Sequence, residues 1–174
     1  MPRVALLSEE AGAQFRRSVG PEAGRALAHR PAMAEVIGRF NAVVARSELP
    51  SRLHELVRYR IAQLNGCQRC QTYRMPGAPV SEEDLALVEG WASNDAFDPL
   101  ERLALDFAER FSTDASSVDD ALCNGLKAGL GDDGLVDLAV CVSKYVGTGR
   151  LITVLDLDQA CTLPWTSDEA QPVS

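Results

Sequence analysis

Leu49-Pro50-Ser51-Arg52-Leu53-His54-Glu55-Leu56-Val57-Arg58-Tyr59-Arg60-Ile61-Ala62-Gln63-Leu64-Asn65-Gly66-Cys67-Gln68-Arg69-Cys70 is the stretch whose reading decides the fold. Leu53, Leu56, Val57, Ile61 and Leu64 recur at the spacing of one helix face. Asn65-Gly66 ends that stripe, and a Cys-x-x-Cys pair follows at once.

A short helix is expected from Cys67 to about Met75, stopped by Met75-Pro76-Gly77. At its start, free backbone amides and the helix dipole favour a thiolate, mainly on Cys67. Cys70, one turn on, stands where it can close a disulfide. Arg69 and Arg74 add positive charge, and the spacing of Arg74 predicts that it shares a helical face with both cysteines.

Outward from this stretch the pattern is helix after helix. Met33, Val36, Ile37, Phe40, Val43 and Val44 form a stripe, with Pro31 suited to its first turn. Ser81 followed by Glu82, Glu83 and Asp84 is a helix start, and so is Asp98-Pro99-Leu100-Glu101. Ser117 is a possible cap for a helix that stops near Gly129-Leu130-Gly131, and Asp132 can open a last long one. That last stripe is apolar over a wide arc, which suits either a central core helix or a face that meets another subunit. No stretch alternates as a half-buried strand does. The expected fold is all-α, a multi-helix bundle in a single domain over residues 21–163. Residues 1–20 are read as an arm or short helix, and 164–174 as a flexible tail.

The chain has 174 residues, enough for a core without covalent staples. Its net charge of −8 argues against nucleic acid and against anionic membranes. No apolar run approaches the roughly 20 residues that span a bilayer, and the N-terminus lacks the pattern of a signal peptide. A cytoplasmic location is the expectation. The five cysteines do not read as a disulfide framework. A closed zinc site needs about four ligands, and Cys123, Cys141, Cys161, His29 and His54 offer no second pair. No metal or other cofactor is expected. Two unreactive buried cysteines remain an alternative reading of the pair, but no βαβ pattern supports a thioredoxin-like one.

The quoted stretch resembles the core motif of the carboxymuconolactone decarboxylase/alkylhydroperoxidase D superfamily: a Glu, eleven residues, Cys-x-x-Cys, and a His four positions on. The likeness runs over about residues 31–156, through Val80–Leu85, Asp98–Arg102 and Leu135–Leu138. It implies an all-α homo-oligomer, with a trimer or hexamer favoured. It also implies peroxide chemistry in which Cys70 takes the place of the peroxide-reacting cysteine, Cys67 that of the resolving one, and Glu55 that of a proton-relay glutamate. The relay His position is Arg74, which has no acceptor lone pair and cannot shuttle a proton. A late Asn-Arg pair of many relatives is Gly149-Arg150 here.

The sequence therefore predicts a thiol-dependent oxidoreductase with weakened peroxidase activity, acting on a hydroperoxide or serving a thiol redox partner protein. His54 and Tyr73 are candidates to replace the relay. The alternative is a cofactor-independent lyase or decarboxylase-like enzyme on a small acidic or lactone substrate, with Arg69, Arg74 and Arg150 as anion-binding groups. A third reading is a non-catalytic redox sensor.

Overall fold

A computed structural model describes residues 1–158, excepting the side chains of residues 17 and 18. The tail expected at 164–174, and Cys161, lie outside the described residues. Among those residues every regular element is helical. The order is α1 (Glu9–Val19), α2 (Pro21–Leu27), α3 (Pro31–Val44), α4 (Ser51–Leu64), α5 (Gln68–Thr72), α6 (Glu82–Leu87), α7 (Pro99–Thr113) and α8 (Asp120–Val154). Short 3-10 turns cover Val88–Ser93 and Ala115–Ser117. No helix is long and apolar enough to cross a membrane.

The local signals for helix starts are realised. Pro31 opens α3. Ser81 with Asp84, and Asp98 with Glu101, each form a reciprocal capping box at α6 and α7. The carboxylates of both boxes also bind one guanidinium. Arg52 Nε donates to Glu101 at 2.8 Å, and its terminal nitrogens donate to Asp84 at 2.8 and 3.0 Å. Two helix starts are thereby tied to the first turn of α4. That contact holds the Asp84 carboxyl well below the usual carboxylate range, through the Arg52 hydrogen bond first.

Helix α4 is enclosed from both sides. Leu53, Val57 and Ile61 pack with Phe107, Leu126, Leu138 and Val142 of α7 and α8. Leu56 faces a second cluster with Leu85, Val88, Phe97 and Leu105. The central helix is thus α4, whereas α8 leaves Val136, Val140 and Val154 exposed. Helix α8 begins after Asp119, not Ser117, and runs on past the expected stop. Its two segments meet at Gly131, whose φ of 75° interrupts the helical run.

The stripe of α3 differs from its sequence reading. Val44 is buried, but Met33, Val36, Phe40 and Val43 are exposed, with Val43 66% accessible. Its periodicity gives an amphipathic helix, but the described residues leave much of its apolar side uncovered.

Candidate functional site

The site is built on the end of α4 and the turn that leaves it. Gly66 turns the chain with a φ of +61°, a conformation that glycine adopts without the strain other residues would carry. Asn65, just before it, donates from Nδ2 to the Tyr145 carbonyl at 3.0 Å. It passes so close to Gly149 that a Cβ there would collide with the amide. The end of α4 is in this way fastened to α8 immediately ahead of the cysteines.

Cys67 is the N-cap of α5, and its sulfur accepts the Cys70 N–H at 3.2 Å. The two cysteines form a disulfide, with Cα atoms 5.2 Å apart. They are not equivalent. Cys67 is fully buried, while Cys70 is partly exposed and lines a cavity of about 1410 Å³. The cavity lies between the α1–α3 segment and the helices α4, α5 and α8. Phe15, Ile37, Leu151 and Ile152 are among its apolar walls.

Behind the cysteines lies a buried ion pair. Glu55 and Arg58 are 1% and 4% exposed. Arg58 donates from Nε and a terminal nitrogen to both Glu55 oxygens, at 2.6 and 2.8 Å. Its remaining hydrogen bonds go to the carbonyls of Cys70, at 2.5 Å, and Tyr73, at 2.8 Å. It also lies 5.2 Å from the centre of the Tyr73 ring. Both Glu55 oxygens thus meet Arg58. The carboxylate holds the arginine that holds the backbone of the second cysteine. Only its i,i+3 spacing from Glu55 points to Arg58 in the sequence.

Arg74 is not on the helical face of the cysteines. Helix α5 ends at Thr72, and Tyr73 is extended. The Arg74 guanidinium binds Glu82 twice at 2.8 Å and the carbonyls of Gln71 and Tyr73. Arg69 pairs with Asp158 at 3.4 Å, and Arg150 donates to the Ser112 carbonyl. These three arginines do not converge on one point.

His54, one residue before Glu55, is buried and turns toward α8. The Tyr145 hydroxyl lies 2.8 Å from its Nε2. Burial pulls the His54 pKa down to about 4, which leaves the ring neutral and able to accept from Tyr145. Burial raises the Tyr145 and Tyr73 hydroxyls above their ordinary values. Lys144 is partly buried, with its ammonium 4.3 Å from the Tyr145 ring centre. Burial and then the nearby Arg58 charge pull it down to about 8. Cys141 is buried and pushed up to about 12, which makes it an unreactive thiol. Among the described residues no cluster of acidic, His and Cys side chains is arranged to hold a metal.

Two outcomes follow from these contacts. Arg58→Met leaves Glu55 buried without its partner, and unfolding in denaturant is expected to register a loss of about 3–5 kcal/mol. Arg58→Lys does not restore it, because an ammonium cannot span two carboxylate oxygens and two carbonyls. His54 has a depressed pKa in the folded state, so its contribution is fully present above about pH 6.5. Protonation of the unfolded chain then removes roughly 2–3 kcal/mol as pH falls from about 6.5 to 4. His54→Gln should abolish that part of the slope in pH-dependent melts. An unchanged slope would show that the ring is charged in the folded protein.

Comparison with known proteins agrees with this architecture. Residues 31–110 match the model of the carboxymuconolactone decarboxylase family. Escherichia coli K12 has a relative, the uncharacterized protein YnjA, that is 30% identical over 124 residues, or 68% of each chain. A peroxidase-related protein from Ralstonia eutropha, with an alkylhydroperoxidase AhpD core, superposes with a TM-score of 0.74 at 17% identity over 90% of each chain. The debrominase Bmp8 superposes with a TM-score of 0.76 at 16% identity, over 97% of this chain and 98% of its own. A cysteine-to-alanine variant of Bmp8, solved with 2,3,4-tribromopyrrole bound, superposes at 0.74 with 15% identity over 98% and 97% of the two chains. The chain belongs to the carboxymuconolactone decarboxylase family, with the all-α fold of its alkylhydroperoxidase D-like members.

Proposed function

We propose that the protein is a thiol-dependent oxidoreductase that uses the Cys67–Cys70 pair on an organic substrate admitted through the cavity. The observation that carries this reading is the asymmetry of the pair: Cys70 lines the cavity and Cys67 is enclosed behind it. With a hydroperoxide, the Cys70 thiolate attacks the terminal oxygen and the O–O bond breaks. The alcohol leaves with a proton, and Cys70 becomes a sulfenic acid. The Cys67 thiolate attacks that sulfur, the S–S bond forms and water leaves. Two electrons and two protons from an external thiol return the pair to the dithiol.

Proton delivery is the weak part of this cycle. Arg74 is committed to Glu82, and both Glu55 oxygens are taken by Arg58. Positioned acid–base help is typically worth about 10²–10⁴ in rate, so slow peroxide turnover is expected. Introducing histidine at 74 alone should recover little, because Glu55 is not free to complete a relay. The same dithiol balances reductive dehalogenation: an aryl bromide and two thiols give the arene, hydrogen bromide and a disulfide. The resemblance to a debrominase fold and the apolar walls beside Cys70 favour this second reading over the lyase one.

Steady-state consumption of cumene hydroperoxide with dithiothreitol tests the first reading. The native protein should turn over slowly and Cys70→Ser not at all; without reductant, Cys67→Ser should consume one equivalent and stop with Cys70 as a sulfenic acid. Turnover that survives Cys70→Ser would exclude this site.

The reading includes a homo-oligomer, a trimer or hexamer, which is supported by the exposed Met33, Val36, Phe40 and Val43 of α3. Sedimentation at micromolar concentration should give the oligomer, and Val36→Asp with Val43→Asp should give monomer. A native protein that sediments only as monomer would remove this part of the reading.

A further inference from the structure

The cavity beside Cys70 has cationic side chains as well as apolar walls. Arg39, Arg58 and Arg69 each have a carboxylate: Glu35 at 3.9 Å, Glu55 at 2.6 Å and Asp158 at 3.4 Å. Lys144 and Arg46, on the same wall, have none within ion-pair distance among the described residues; Arg46 is exposed and Lys144 partly buried. The Lys144 ammonium lies over the ring of Tyr145, whose hydroxyl is engaged with His54. Lys144 is only partly buried, and the ring face offsets part of the cost of drawing its ammonium from water.

We propose that Lys144 is an anion subsite in this cavity, and that it selects apolar organic substrates carrying a carboxylate. Two features fit the pairing. Lys144 and Cys70 line one cavity, so a molecule held by its carboxylate at Lys144 extends along apolar walls shared with the cysteine. Arg58, bonded to the Cys70 carbonyl, lines the same cavity as Lys144. Arg58 itself is bound by Glu55 and two carbonyls, and Arg46 is exposed, so Lys144 is the partly buried cation of the wall without a carboxylate. The inference deepens the oxidoreductase reading by naming its substrate class. It rests on that reading only for what Cys70 then does.

Calorimetric titration of the oxidised protein with octanoate and with 1-octanol tests the subsite without any turnover. Octanoate should bind about tenfold more tightly than the alcohol, the difference that one charge-assisted contact supplies. Lys144→Met keeps the apolar shape and should bring octanoate down to the affinity of octanol. Lys144→Arg should keep the preference. Circular dichroism and a melting curve confirm the folding of each variant. Equal affinities in the native protein, no binding of either probe, or a preference that survives Lys144→Met would each overturn the proposal. Binding as expected without peroxide turnover would sink the oxidoreductase reading alone. Turnover of cumene hydroperoxide without octanoate binding would sink the subsite alone.

Discussion

The buried pair of Glu55 and Arg58 is the interaction on which the site depends. A carboxylate and a guanidinium enclosed this deeply are unfavourable unless nearly every donor and acceptor is satisfied. Here the guanidinium meets that demand with two carboxylate oxygens and two backbone carbonyls, and both carbonyls belong to the segment that carries the second cysteine. The short helix α5 has only five residues and little burial of its own. Its position is set by Arg58 from behind and by the disulfide and the α4 end in front. Both oxygens of the glutamate that stands at the relay position of the motif accept hydrogen bonds from that arginine.

This arrangement separates two properties that a dithiol site needs. Access is unequal: one sulfur meets the cavity and the other is sealed within the core. In the proposed reading that inequality favours Cys70 as the attacking sulfur, whereas the simple dipole argument favours Cys67. Proton transfer is the second property, and the groups around the pair are poorly suited to it. Arg74 is turned toward Glu82, and His54 is a buried neutral ring facing Tyr145. Guanidinium groups near the site hold backbone and carboxylates, whereas an imidazole would shuttle a proton.

Much of the fold was legible in the sequence because its signals are local. Pro31, Ser81 with Asp84, and Asp98 with Glu101 act within one turn of themselves, so their helices start where the residues stand. The all-α class follows from apolar spacing in the same way. The break at Gly131 was legible too, but not that one helical run continues across it. The α3 stripe illustrates the limit. Periodicity identifies which face is apolar, but not whether the chain itself covers that face.

The sequence by itself determined the helices, the Cys-x-x-Cys pair at the end of one of them, and the family motif that spans both. Tertiary structure decided the rest, because each remaining feature joins residues far apart in the chain. It made α4 rather than α8 the central helix, since enclosure depends on which clusters close on each side. It placed Cys70 on a cavity and Cys67 behind it, and it brought Lys144 and Tyr145 to a wall shared with the disulfide helix. It also sent Arg74 away from the sulfurs, because α5 ends at Thr72 and the next residue is extended. A spacing of four or seven residues predicts a shared face only while the helix lasts.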